Sequence, residues 1–244
     1  MPRFFVEPDA ILDGTATVAG GDAYHIARSL RMAVGDEITL ADGSGREYIC
    51  RLVKIRDEEC TAEVLSARAS TSESPAEITL YMAYPKSDKL ELIIQKAVEL
   101  GAARIVPFES SRCIKRPKAE KIEKQTARLA RIAEEAAKQC GRARLPIVTE
   151  PVSFKKMLEE ASAAQLSLFC YEGEGAKSLK AVLSADGVPT TISVIVGSEG
   201  GFSPEEADAA KEAGLTPVNL GPRILRCETA PMYALAAISY QLEL

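Results

Sequence analysis

The stretch that most constrains the fold is Ile192-Ser193-Val194-Ile195-Val196, a run rich in β-branched residues without regular polar alternation. A strand of this kind is covered on both faces, which predicts a parallel sheet sheathed in helices. It leads straight into Gly197-Ser198-Glu199-Gly200-Gly201-Phe202, and a second strand-to-loop passage follows at Leu220-Gly221-Pro222-Arg223-Ile224-Leu225-Arg226-Cys227-Glu228-Thr229-Ala230. Ligands of parallel sheets sit at the carboxyl ends of the strands, so both loops are candidate ligand loops. The quartet Ser203-Pro204-Glu205-Glu206 after the first loop marks a helix start. Ser203 is its N-cap, Pro204 takes the first helical position and Glu206 closes a capping box.

The charge of the first loop limits what it can hold. A phosphate cradle needs backbone donors with a lysine, or the G-x-G-x-x-G spacing, and neither pattern is present. Glu199 among the glycines would repel phosphate oxygens and tolerate a neutral or cationic ligand, such as the sulfonium of S-adenosylmethionine. The alternative is that the glycines only turn the chain and Glu199 only caps a neighbour.

Several function classes fall away on composition. The six cysteines, Cys50, Cys60, Cys113, Cys140, Cys170 and Cys227, form no C-x-x-C pair, and His25 is the single histidine. That spacing argues against a zinc site or any other metal, and against a disulfide framework. A Ser-His-Asp or Cys-His hydrolase would have to be built on His25 alone. No apolar run approaches the roughly 18 residues of a membrane span, and Glu7 and Asp9 do not suit a signal peptide. A cytoplasmic protein is expected.

Two regions differ in pattern. Up to Leu65 the chain reads as short strands: Phe4 to Val6, Ala16 to Ala19, Glu37 to Leu40, Glu47 to Ile55 and Thr61 to Leu65. Asp42-Gly43-Ser44-Gly45 supplies one hairpin and Arg56-Asp57-Glu58-Glu59 another, which predicts a small β-barrel. One helix over Asp22 to Leu30, with Asp22 as N-cap, interrupts it. Ala67 to Ala76 is rich in serine and threonine with Pro75 and reads as a linker. The expected division is a barrel domain over 1–70, a connector over 71–76 and a second domain over 77–244. In the second domain strands alternate with helices: Ile78 to Ala83, then a helix capped by Ser87 with the stripe Leu90, Ile93, Ile94, Ala97 and Val98, then Ile105 to Phe108. A long helix from about Lys118 to Gln139 follows, then Ile147-Val148, a helix capped by Ser153, and the strand Leu166 to Tyr171. The alternation predicts a parallel α/β sheet with helices on both faces.

The sequence carries a net charge of −5, which alone speaks against a polyanion partner. Its distribution reverses that. Between Arg112 and Arg144 there are eleven basic residues against four acidic ones, few of them with an acid at helical spacing, so phosphate contacts are expected there. Arg28 and Arg31, three apart on the barrel helix, offer a second contact point, and His25 shares their face as either a contact or a core or capping residue.

Val196 to Phe202 and Leu220 to Thr229 together resemble the two C-terminal signatures of the RsmE family, SPOUT-class methyltransferases that modify a uridine of small-subunit ribosomal RNA. Further matches are Pro2-Arg3-Phe4-Phe5, His25 to Arg31, Asp42-Gly43-Ser44, Gln95 to Gly101, Ser111-Arg112-Cys113 and Glu135 to Arg142, so the resemblance spans the chain. Ser198 departs from it, standing where the family usually has proline. The resemblance implies an α/β fold of SPOUT (trefoil-knotted) type, a parallel-sheet methyltransferase domain preceded by a small PUA-like β-barrel, working as a homodimer. It implies S-adenosylmethionine as cofactor and the N3 of a uridine as target, on ribosomal RNA or the assembled 30S subunit. The cofactor would be held by Tyr171, Gly197, Gly200, Gly201, Leu220, Gly221, Ile224, Leu225 and Thr229. RNA would be gripped by Arg3, His25, Arg28 and Arg31 in the barrel and by Arg112, Lys115, Arg116 and Lys118 beyond it.

The N3 of uracil carries a proton and is a poor nucleophile until that proton leaves. An arginine can hold the negative charge developing on the flanking carbonyl oxygens. Arg226 is the first candidate for this role and Arg223 the second. Glu199 or Glu228 could be the general base if burial raised its pKa, or could orient an arginine. Methyl transfer from a sulfonium needs in-line positioning and no metal. The stripe Met232, Leu235, Ala236, Ile238 and Leu242 of the final helix suits a dimer interface or a buried core helix. Two rival readings are a non-catalytic RNA-binding dimer and a SPOUT enzyme acting on another RNA.

Overall fold

The computed structural model describes residues 1–86, 89–114, 116, 119–185 and 187–244. The chain divides into two compact units, Met1–Glu73 with Ala137–Leu145, and Ser74–Ala136 with Pro146–Leu244.

The first unit contains β1 (Arg3–Phe5), β2 (Ile11–Leu12), β3 (Thr15–Ala19), helix α1 (Gly20–Tyr24), β4 (Glu37–Ala41), β5 (Arg46–Ile55) and β6 (Glu59–Ala69). They pair in the order β1-β4-β5-β6-β3-β2, antiparallel except for β1 beside β4. Period-two burial explains the sheet: Ala16 and Val18, Ile38 and Leu40, Cys50 and Leu52, Cys60 and Ala62 all turn inward, joined by Phe4 and Ile26. The Asp42–Gly45 turn forms as its residues dictate. Asp42 accepts from the amide and hydroxyl of Ser44 at 2.9 and 2.7 Å, while Gly43 and Gly45 take φ of 76° and 103°.

Two expectations are corrected in this unit. The helix starts at Gly20, behind Ala19, and then widens into a π-helical turn over His25–Ser29 closed by the Leu30 amide on the His25 carbonyl at 2.9 Å. Asp22 is therefore not the cap; it lies inside the first turn and receives Lys138 Nζ at 3.1 Å. The wider turn also means that three-residue spacing no longer defines a common face for His25, Arg28 and Arg31. The second correction is that β6 continues to Ala69, so the opening residues of the serine-rich Ala67–Ala76 stretch are strand.

The second unit contains β7 (Glu77–Ala83), α2 (Lys89–Glu99), β8 (Ala102–Glu109), the first part of α3 (Ile122–Cys140), β9 (Ile147–Val148), β10 (Val152–Ser153), α4 (Phe154–Ala161) and β11 (Leu166–Cys170). It continues with β12 (Lys177–Ser178), α5 (Leu179–Leu183), β13 (Thr191–Val196), α6 (Pro204–Glu212), β14 (Thr216–Asn219) and α7 (Thr229–Glu243). The sheet is parallel in the order β10-β8-β7-β13-β11-β14-β12, with β9 also beside β8.

Both faces of this sheet are buried, which is why its strands lack polar alternation. One face carries Val106, Tyr81, Ile195 and Phe169, cross-strand neighbours by register, with Phe108 two residues beyond Val106 opposite Ala83. Helix α4 covers it: Arg104 pairs with Glu160 at 3.3 Å and Ser167 donates to the Ala161 carbonyl at 2.6 Å. The other face carries Leu80, Met82, Val194 and Leu168, all fully buried. Helices α2 and α7 contact each other, α2 contacts β8 and α7 contacts β13. The α2 stripe Leu90, Ile93, Ile94, Ala97 and Val98 is buried as periodicity predicts, whereas its expected cap, Ser87, lies outside the described residues. In α7, Leu235 and Ile238 belong to the core, while Tyr233, Ala236 and Tyr240 form an exposed face.

Candidate active site

Register brings the carboxyl ends of three strands side by side. Phe169 of β11 is level with Ile195 of β13, and Cys170 with Val218 of β14, so the loops after Cys170, Val196 and Asn219 emerge together. Between them lies a cavity of about 590 Å³. Its apolar wall is Val196, Phe202, Val218, Leu220, Ile224 and Leu225; its polar rim is Lys89, Arg112, Glu172, Glu199 and Arg226. The size and the mixture of apolar walls with a few polar groups suit a small-molecule site.

The first loop is shaped by close contacts. A Cβ on Gly200 would stand 2.9 Å from the Arg112 Cβ, and one on Gly197 would stand 3.1 Å from both the Gly201 Cα and the Phe202 ring. Phe202 packs over Phe169 with ring centroids 4.3 Å apart and lies parallel to Phe108 at 6.3 Å, which fixes the loop to the sheet. The helix start behind the loop forms as the sequence predicts: Ser203 accepts from the Glu206 amide at 3.2 Å and Glu206 from the Ser203 amide at 3.0 Å. The other oxygen of Glu206 accepts from the Ser111 amide at 2.7 Å. The Ser111–Cys113 turn is thereby held beside the loop, and Arg112 donates to the Gly200 carbonyl at 3.2 Å.

Lys89, at the start of α2, joins the two C-terminal loops. Its Nζ lies 3.0 Å from Glu199 and 3.1 Å from Glu228, and donates to the Cys227 sulfur at 3.7 Å. Glu199 also accepts from the Lys86 amide at 3.1 Å. Burial pushes both carboxyls up, but hydrogen bonds from backbone amides and Lys89 outweigh it, with Cys227 adding a bond at Glu228, and both are held below the ordinary value of 4.5. The same hydrogen bonds raise Lys89. Desolvation, with the bond to Glu228, pushes the Cys227 thiol up to about 12, so it is a protonated donor at neutral pH.

These shifts set a pH dependence. Carboxylates with depressed folded values contribute stability that is present above the unfolded value and lost as pH falls through the folded one. A lysine with a raised value contributes below its unfolded value and loses that only as pH rises through the folded one. The Lys89 cluster therefore persists through neutrality and fails on the acid side. The melting-temperature advantage of wild type over Glu228→Gln is expected to be constant from about pH 6 to about 8, to shrink as pH falls below the ordinary value of 4.5 and to be lost once pH passes below the depressed folded values; an advantage that does not shrink on the acid side would show that the ion pairs do not supply it.

The predicted cofactor residues Tyr171, Gly197, Gly201, Leu220, Ile224 and Leu225 line the cavity. Gly200, Gly221 and Thr229 are not in its lining: Gly200 gives room to Arg112, Gly221 turns the chain at φ 102°, and Thr229 begins α7 with an exposed side chain. Arg226 is on the rim, whereas Arg223 is exposed outside the lining. Burial does not raise Glu199 or Glu228 as a general base would need: hydrogen bonds from backbone amides and Lys89 hold both below the ordinary carboxylate value, so each is a weaker base than a free glutamate. Sequence reasoning missed Lys89 and the lining cysteines Cys170 and Cys227. Only the Lys89 position at a helix start beside a strand end signals it, since its partners are far downstream.

The proposed RNA residues are scattered by the structure. Arg3 is turned inward: it bonds buried Glu47 at 2.7 Å, shared with Arg68 at 2.5 Å, and its charge is spent there. Arg28 forms a two-pronged pair with Asp57, its shortest contact 2.6 Å. Among the described residues Arg31 has no ion-pair partner and is exposed, as is His25, whose ring lies edge-on to Phe4. Arg112 belongs to the cavity rim, Arg116 stands 4.0 Å from Glu109, and Lys115 and Lys118 lie outside the described residues. In the basic run Arg128 pairs with Glu91 and Arg142 with Glu73, acids from distant segments, while Lys121, Lys124 and Arg131 are exposed without ion-pair partners among the described residues.

Comparison with known proteins places this geometry. The model of an RNA methyltransferase domain matches residues 72–239, and that of an RNA methyltransferase PUA domain matches residues 18–65. Ribosomal RNA small subunit methyltransferase E of Bacillus subtilis is 34% identical over 100% of this chain and 98% of its own length. The chain belongs to the RsmE family. The Synechocystis RsmE is also 34% identical, over 99% of this chain and 78% of that protein. Among solved structures, RsmE of Neisseria gonorrhoeae bound to S-adenosyl methionine superposes with a TM-score of 0.87 at 33% identity, covering 98% of this chain and 97% of that one. A putative methyltransferase from Legionella pneumophila in complex with the bound cofactor SAM gives 0.86 at 30% identity, over 98% and 96%. The α/β class of the second unit and the PUA-like first unit agree with the RsmE pattern. Among the described residues no helix is long and apolar enough to cross a membrane, and no cluster of three or more His, Cys, Asp and Glu could hold a metal.

Proposed function

We propose that the protein uses S-adenosylmethionine to methylate the N3 of one uridine in small-subunit ribosomal RNA, on the assembled 30S subunit and as a homodimer in the cytoplasm. The observation that carries this reading is the cavity at the carboxyl ends of β11, β13 and β14, with Arg226 on its rim. The residues present fit the cofactor. Leu220, Ile224 and Leu225 offer an apolar wall for an adenine, and the backbone at Gly201, where a Cβ would meet nothing within 4 Å, is open to close approach. Two carboxylates against one ammonium at the Lys89 cluster leave a net negative charge, which suits a sulfonium.

When bound, the cofactor supplies an electrophilic methyl group; everything else falls to the chain. Arg226 is assigned to the uracil carbonyl oxygens, where its fixed positive charge stabilises the imidate formed as N3 loses its proton. With Glu199 and Glu228 held as weak bases by Lys89, the N3 proton passes to solvent water, and lowering the cost of the anion makes that transfer accessible. Arg223 and Arg31, together with Lys121, Lys124 and Arg131, offer positive charge to phosphates. The Tyr233, Ala236 and Tyr240 face of α7 supports pairing with a second copy. The trefoil knot and the domain limits 1–70 and 77–244 belong to the same reading.

Mapping modified nucleosides in ribosomal RNA from cells with and without the gene tests it. One 3-methyluridine of the small subunit is expected to disappear, and purified protein is expected to restore it on 30S subunits isolated from the deleted strain. Identical nucleoside maps from both strains would overturn the assignment.

A further inference from the structure

The two loops that wall the cavity come from separate segments, after β13 and after β14. One side chain from a third segment ties them. Lys89 Nζ reaches Glu199 of the first loop at 3.0 Å and Glu228 of the second at 3.1 Å, with the Cys227 sulfur at 3.7 Å. The Lys86 amide adds a bond to Glu199 from the same strand-to-helix passage. Lys89 itself lines the cavity, and its partners are partly shielded, with 26% and 19% of their side chains exposed. Shielding strengthens such pairs relative to surface ones, and removing the ammonium would leave two carboxylates facing one another.

We propose that Lys89 is a positioning residue that clamps the Gly197–Phe202 and Leu220–Glu228 loops into one cofactor wall through Glu199 and Glu228. The inference rests on the cavity being the S-adenosylmethionine site. Its second consequence concerns charge: with Lys89 in place the cluster carries one net negative charge, enough to favour a sulfonium while the loops stay joined.

The probe is S-adenosylhomocysteine, whose neutral sulfur makes its affinity report wall geometry rather than charge, titrated calorimetrically into the full-length protein beside S-adenosylmethionine. Lys89→Met is expected to weaken the homocysteine compound at least tenfold, and Lys89→Arg, which keeps a cation able to reach both carboxylates, to stay within threefold of wild type. Lys89→Met should cost at least threefold less in a Glu228→Ala background than in wild type, because the clamp is already cut there. Unchanged affinity in Lys89→Met, or equal losses in both backgrounds, would overturn the proposal. Should Lys89→Met fail to fold, Glu228→Ala severs the clamp from the other side and is expected to weaken binding at least fivefold; wild-type affinity in that variant would overturn it. Wild-type protein that binds neither compound would instead remove the cofactor reading itself.

Discussion

Arg226→Ala is expected to slow methyl transfer by about 10²–10³-fold, the usual consequence of deleting one donor that stabilises a developing oxyanion. S-adenosylmethionine affinity should stay within about threefold, because Arg226 stands on the polar rim while the apolar wall is formed by Leu220, Ile224 and Leu225. The two readouts separate a transition-state role from a binding role. A single-turnover rate on 30S subunits at saturating donor gives the first, and calorimetry gives the second. Arg226→Lys should recover little, since a lysine cannot present a planar fork of donors to two oxygens. A variant that keeps most of its rate would remove Arg226 from the chemistry and turn attention to Arg112, the other arginine of the cavity lining.

Phe169→Ala is expected to cost about 3–5 kcal/mol of stability, the range for emptying a fully buried aromatic site. Phe169 is completely buried in β11 and meets Phe202 at 4.3 Å and Tyr171 at 5.8 Å. It therefore links the sheet to two walls of the cavity, and cofactor affinity should fall along with the melting temperature. Phe169→Leu, which restores most of the volume, should return much of the stability. Denaturant melts of the three proteins check this; a loss near zero for alanine would mean that the aromatic cluster does not anchor the glycine loop.

Much of the fold was legible in local sequence. The β-branched-rich run of β13 identified a strand buried on both faces, and Ser203-Pro204-Glu205-Glu206 formed the capping box its chemistry calls for. The stripe of α2 turned inward, and six predicted cofactor residues came together around one cavity. What failed locally is instructive. Asp22 has the right chemistry for a cap, but Gly20 and Gly21 allow the helix to begin earlier, and Lys138 then claims the carboxylate. Arg3, Arg28, Arg128 and Arg142 read as free cations because their acids, Glu47, Asp57, Glu91 and Glu73, are far away in sequence.

The sequence by itself determined the main strands and helices and which two loops line the cavity, because periodicity, caps and glycine turns act over a few residues. Only the tertiary structure decided the basicity of the site's carboxylates. Parallel register sets the ends of β7, β11, β13 and β14 side by side, and that juxtaposition lets Lys89 hold Glu199 and Glu228 below the ordinary carboxylate value. A carboxylate's basicity depends on what lies within a few ångströms of it, and those neighbours are chosen by chain topology rather than by the residues beside it in sequence.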